Sequence, residues 1–251
     1  MSVQNKIINE YGSSIISKWN YEAIELSHIQ AVFNGHKNFP ATNQDNKVRL
    51  HFGLEGNHDF QHQQLKRNFR NVASQQNIMY SNGFDIQVQN NSLELETFGV
   101  KFPVDLFVHY TQNASDTLKR FSEKVLAGKA CLLSDNFRPI TLAMRQAIQR
   151  IIQCNYSGEM QRLFLLSKSL ELLVLTAESH TITPSKKSKF IANGADRKKI
   201  YEVRELLDLR LDSPPNLNEI SRLVGINEYK LKGGFKEVFQ TTVFGYIREQ
   251  R

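Results

Sequence analysis

The chain has 251 residues, 40% hydrophobic and 23% charged, which suffices for one large domain or two smaller ones and excludes a disulfide-stapled miniprotein. Lys and Arg total 32 against 25 Asp and Glu, a net charge of +7, and no apolar run approaches the roughly 18 residues of a membrane span. The opening MSVQNKIINEYGS has no basic stretch followed by an apolar one, so the expected compartment is the cytoplasm, with no membrane partner.

From about Glu25 to Tyr110 the chain reads as strands. In VRLHFGL, Val48, Leu50, Phe52 and Leu54 alternate with Arg49, His51 and Gly53, the period-2 pattern of a half-buried strand. Asn82-Gly83 and Asn90-Asn91 tolerate positive φ and predict tight hairpins dividing NIMYS, FDIQVQ and SLELETFGV. Successive short strands with no helix between them predict a small antiparallel barrel or sandwich. His58 and His62 could share a cation, but spacing fixes no third ligand, so they read as loop histidines, with His51 and His109 in strands. Glu94 and Glu96, two apart, read as a solvated strand face. Cys131 and Cys154 form no CxxC pair and read as small buried hydrophobes.

After Tyr110 the period becomes helical. Asn113 or Ser115 can cap a helix carrying Leu118, Phe121 and Val125, ended by Gly128. A second helix follows Pro139, with Ile140, Met144, Ile148 and Ile151 on one face. A third runs from near Gly158 to about His180. Its apolar stripe of Met160, Leu163, Phe164, Leu170 and Val174 is widened by Leu165, Leu166, Leu172, Leu173 and Leu175, which predicts burial on two sides, one against the strands and one against a second subunit. TITPSKKSKFIANGAD has linker composition, and beyond it a helix from about Asp196 presents Ile200, Val203, Leu206 and Leu207. From Lys186 to Arg251 there are 14 Lys or Arg and 9 Asp or Glu, so this tail holds +5 of the net charge.

The tail contains PNLNEISRLVGINEYKLKGGFKEVF. Asn216 and Glu219 have capping-box spacing, Gly225 permits a left-handed turn residue, and Asn227 can cap a second helix with Leu231, Phe235 and Val238 or Phe239 inward. A helix, a three-residue turn and a helix place the second helix in a major groove, with Tyr229, Lys230, Lys232 and Lys236 facing outward. Lysines neutralise phosphates; Asn227, Tyr229 and Lys232 are the better placed to touch bases.

LNEISRLVGINEYKLKGGFKEVFQTTVFGYIRE resembles the first helix-turn-helix of an AraC/XylS-type transcriptional regulator, in Gly225, Leu231, Phe235-Lys236 and Tyr246-Ile247-Arg248. Tyr156 to Leu175 resembles the segment before the DNA-binding part in the siderophore-responsive branch of that family. The resemblance implies a cupin-like barrel that senses a small molecule, ferric siderophores included, helices that dimerise, and a DNA-binding domain. Gly233 stands where the family commonly has Arg, and a glycine pair weakens a helix, so DNA affinity should suffer. Gln240 replaces the usual glycine of the next turn. The family's second helix-turn-helix does not follow before Arg251, so the expectation is either a truncated or decayed product or a chain that acts with one reading helix per subunit.

The expected fold is thus α+β: an effector-sensing and dimerisation domain over 1–182, with a β-barrel to about 110 and helices over 113–180, a linker at 183–195, and an all-α DNA-binding part over 196–251. The expected function is a ligand-responsive, sequence-specific transcriptional regulator that binds double-stranded DNA as a homodimer. The alternative is a sensor and dimerisation protein without productive DNA binding. GxSxG, GxxxxGK[ST], HExxH and GxGxxG motifs are all missing, so no catalytic residue, cofactor or metal is expected.

Overall fold

The computed structural model describes residues 3–70, 72–181, 190–191, 194–239 and 241–250; most of the expected linker 183–195 lies outside them. The chain divides into two compact units, Met1–Ile140 with Met144–Thr181, and Thr141–Ala143 with Ile182–Arg251. Among the described residues no helix is long and apolar enough to cross a membrane.

The first unit is built on antiparallel strands: β1 (Val3–Asn9), β2 (Gly12–Tyr21), β3 (Ile24–Phe33), β4 (Asn38–Glu55), β5 (His58–His62), β6 (Arg67–Phe69), β7 (Gln75–Asn90) and β8 (Glu94–Pro103). Two short strands, β9 (Cys131–Leu132) and β10 (Arg138–Pro139), pair with β7. The strand order is β1-β2-β3-β8-β4-β7-β5-β6, and among the described residues the two ends of this path do not pair, so the sheet is not closed into the expected barrel. β4 pairs with β7 from Asn38 to Gly53 but with β8 only from Lys47 to Glu55, so its first half has a neighbour on one side alone.

The two predicted hairpins do not form. Asn82-Gly83 lies inside β7, where Gly83 has φ 75°, opposite a register shift between Asn43 and Asn46 of β4. The positive φ there absorbs a bulge in one continuous strand. After Asn90 the chain does turn, with the Asn90 amide donating to the carbonyls of Gly35 and Ser92, yet β7 and β8 are separated by β4 and never pair.

The alternation in β4 is real, but both of its faces are covered. Val48, Leu50, Phe52 and Leu54 join Ile24, Leu26, Phe98, Val100 and Phe102 in a core sealed by four helices. These are α1 (Val104–Thr111), α2 (Asp116–Leu126), α3 (Leu142–Ile152) and α4 (Gly158–Thr181). Burial of each such side chain contributes about 1.5–3 kcal/mol. On the other face of β4, Arg49 is buried, its guanidinium donating to Asn43 Oδ1 at 2.8 Å and the Asp45 carbonyl at 3.0 Å. His109, expected in a strand, is in α1: Pro103, which has no N–H to donate to a ladder, ends β8, and Phe107, Val108 and Thr111 then bury one helical face. Ser115 caps α2, its Oγ accepting from the Leu118 N–H, and Ile140, Met144, Ile148 and Ile151 are all buried. Leu165, Leu172, Leu173 and Ala177 turn α4 into the core, while Met160, Leu163 and Val174 stay more than half exposed.

The second unit comprises α5 (Gly194–Leu209), α6 (Leu217–Val224), α7 (Glu228–Phe239) and α8 (Val243–Gln250). Ile200, Val203 and Leu207 of α5 meet Ile220, Ile226, Leu231, Phe235, Phe239 and Tyr246 in one core. The Tyr246 hydroxyl donates to Asp208 Oδ1 at 2.5 Å, tying α8 to α5.

Candidate nucleic-acid interface and ligand cavity

The predicted capping box of α6 is formed: Asn216 Oδ1 accepts from the Glu219 N–H at 3.0 Å, and Glu219 Oε2 accepts from the Asn216 N–H at 2.9 Å. Gly225, with φ 67°, then turns the chain left-handed, a conformation that side chains disfavour. Ile226 enters the core and Asn227 starts α7, its Oδ1 accepting from the Lys230 N–H at 2.8 Å. Three residues therefore join α6 to α7, and Leu231, Phe235, Val238 and Phe239 fix the inward face of α7.

The five residues expected to read DNA are not equivalent. Tyr229, Lys232 and Lys236 are exposed and, at i, i+3 and i+7, share one face of α7. Lys232 Nζ lies 3.0 Å from Glu228 one turn back, whereas Lys236 has no ion pair among the described residues. Lys230 points elsewhere, its ammonium held 2.9 Å from the Asp196 carboxylate of α5. Asn227 is exposed, but its side-chain oxygen is committed to the cap. Gln240 lies outside the described residues. Further exposed cations of the same unit include Arg222 on α6 and Arg248 on α8.

The glycine pair has a packing cause that sequence reasoning missed. A Cβ on Gly233 would stand 2.1–2.4 Å from ring carbons of Phe190, and one on Gly234 would stand 3.0 Å from Ile200 and 3.3 Å from Ile191. Phe190 thus lies directly on the α7 backbone, one turn from Tyr229, whose ring centroid is 5.2 Å away. The available signal was an aromatic-aliphatic pair, Phe190-Ile191, isolated in an otherwise polar stretch.

The first unit holds a cavity of about 330 Å³ inside the sheet. Phe33, Phe39, Phe60 and Phe84 supply aromatic wall, His51 and His58 supply imidazoles, and no Asp, Glu, Lys or Arg lines it among the described residues. His58 and His62 are therefore buried on β5, not loop residues, and His51 sits on the cavity face of β4. His51 Nε2, His58 Nδ1 and His62 Nε2 have no hydrogen-bond partner among the described residues. Burial pushes the imidazole pKa of His51 down to about 3, with His58 adding to the effect, and those of His58 and His62 to about 4, so all three are neutral at pH 7. Among the described residues no group of three or more His, Cys, Asp or Glu is gathered to hold a metal. Glu96, expected on a solvated face, instead meets His28 Nε2 at 2.5 Å. Both cysteines are free, and burial pushes the Cys131 thiol up to about 11.

A family model described as the Regulatory protein PchR N-terminal domain matches residues 24–190. Regulatory protein PchR of Pseudomonas aeruginosa is 35% identical over 115 residues, which is 45% of this chain and 38% of that protein. The match thus spans less than half the length of that relative. Among solved structures, the AraC-like transcriptional activator CuxR is similar with a TM-score of 0.44 at 12% identity, covering 96% of this chain and 79% of its own. ToxT of Vibrio cholerae is similar with a TM-score of 0.36 at 10% identity, covering 91% and 99%. By the match over residues 24–190, the chain belongs to the family of the regulatory protein PchR N-terminal domain.

Proposed function

We propose that the protein is a ligand-responsive transcriptional regulator of the AraC type that enters the DNA major groove with α7. The observation that carries this is the packing of α6 and α7 around a three-residue turn, which leaves Tyr229, Lys232 and Lys236 on one solvent-facing stripe. The pair then acts as a helix-turn-helix, α7 being its recognition helix. Lys236 and Lys232 neutralise phosphates, Tyr229 meets base edges, and Lys230 contributes through the Asp196 pair that sets the start of α7 against α5. The unit works by binding, without catalysis, and the cytoplasm is its compartment.

In the sensing unit the open sheet does the work expected of a cupin-like barrel. Its cavity takes an uncharged small molecule, because the wall offers aromatic faces and neutral imidazoles with no fixed charge to pair an ionic group. A ferric siderophore, the effector implied by the family branch, must present such a surface to fit. Two copies associate through α4, where Met160, Leu163 and Val174 lie along the side turned away from the core. Ligand binding then biases the arrangement in which two recognition helices meet successive major grooves.

Titration of a fluorescent 30-base-pair duplex across salt concentration tests the reading. Binding whose affinity falls linearly in log salt supports it. Absence of binding at low salt refutes it and favours a sensor and dimerisation module.

A further inference from the structure

On α7, position 233 lies four residues after Tyr229 and three before Lys236, so a side chain there would neighbour both of theirs, about 100° around the helix from Lys232. Gly233 supplies none. The ring of Phe190 fills the vacancy, close enough that Cδ1, Cγ and Cε1 all stand within 2.4 Å of where a Cβ would be. Phe190 is half-buried, with its ring against position 233 and 5.2 Å from the exposed ring of Tyr229.

We propose that Phe190, which lies outside the two-helix motif, is a specificity-determining residue of the DNA-reading surface: it takes the place of the side chain that Gly233 lacks and recognises the C5 methyl of a thymine. The chemistry follows from what the ring offers. It has no donor or acceptor for the polar pattern of a base edge, and the methyl is the one apolar feature that the major groove displays. The Tyr229 and Phe190 rings form an aromatic step flanked by Lys232 and Lys236, so phosphate contacts set the register while the apolar step selects the base. Gly233 is then required because any Cβ evicts the ring.

This inference rests on the DNA-binding reading, and the test separates the two. The full chain and its Phe190→Ala and Gly233→Ala variants are used to select duplexes from a random 30-base-pair pool. Each thymine of the wild-type selection is then replaced singly by uracil, which lacks only the methyl. The expected result is one position at which uracil weakens wild-type binding about fourfold, the worth of one buried methyl group. Both variants should be indifferent to that replacement while keeping the wild-type salt dependence. Alanine favours the helix over glycine, so a Gly233→Ala protein that melts no lower than wild type shows that the lost preference is not lost folding. Variants that retain the uracil penalty, or that bind every duplex more tightly because the ring was an obstruction, overturn the assignment. A wild-type protein that enriches no duplex and shows no salt-dependent binding overturns the DNA-binding reading itself, and this inference with it.

Discussion

The geometry separates two lysines that sequence alone treats alike, and substituting each in turn gives the sharpest measure of how α7 works. Lys236 is exposed and without an ion pair among the described residues, so its ammonium is available to a phosphate; Lys230 is held 2.9 Å from Asp196 and is only 37% exposed. Each phosphate neutralised contributes a slope of about −0.9 in log affinity against log salt, so between about 50 and 200 mM salt one contact is worth about 3.5-fold. Lys236→Ala should therefore flatten the slope by about one contact and weaken binding to all duplexes alike, with no change in thermal stability. Lys230→Ala should leave the slope unchanged and cost folding stability, though no more than about 1 kcal/mol for a pair this open to solvent. Fluorescence anisotropy on one labelled duplex at five salt concentrations, beside thermal melts of both variants, makes the measurement. Equal slope changes for the two lysines, or none for Lys236→Ala, would refute the division of roles.

The buried imidazoles predict a specific acid sensitivity. His51 and His58 are neutral in the folded state with pKa values of about 3 and 4, below the 6.5 of an unfolded chain, so the unfolded state binds more protons as pH falls. Stability should be full above pH 7 and fall below 6.5, by about 2 kcal/mol per imidazole at pH 5. His58→Gln, which cannot ionise, should flatten urea-denaturation midpoints measured between pH 7.5 and 5, and an unchanged pH profile would show that His58 is not held neutral. On α4, Leu163 is 53% exposed, so Leu163→Asp should spare the fold of the chain and dissociate a dimer in sedimentation equilibrium. A wild-type chain that sediments as a monomer at micromolar concentration would sink the α4 seam.

What could be read in the sequence was local, and what could not was set by partners distant in the chain. Val48, Leu50, Phe52 and Leu54 announce one buried face of β4, and Asn216 with Glu219 announces the start of α6, because each signal lies within a few residues. Asn82-Gly83 has the composition of a hairpin turn, yet β7 runs through it, because pairing with the 18-residue β4 outweighs a local turn preference that a bulge can absorb. That the sheet stays open was equally illegible, since it depends on which strands stand at the two ends of the path from β1 to β6, which no turn motif encodes. On α7 the same divide has a functional consequence. Periodicity gives the outward position of Tyr229, Lys232 and Lys236, but that Lys230 faces Asp196 and that Phe190 covers Gly233 depends on where α5 and the chain before it return. A glycine on an exposed helical face reads as weakness when its neighbours in sequence are all that is known. Here it is the only residue that lets a distant aromatic ring lie against the helix, so if α7 enters DNA as proposed, the apparent defect in its surface is the condition for completing it.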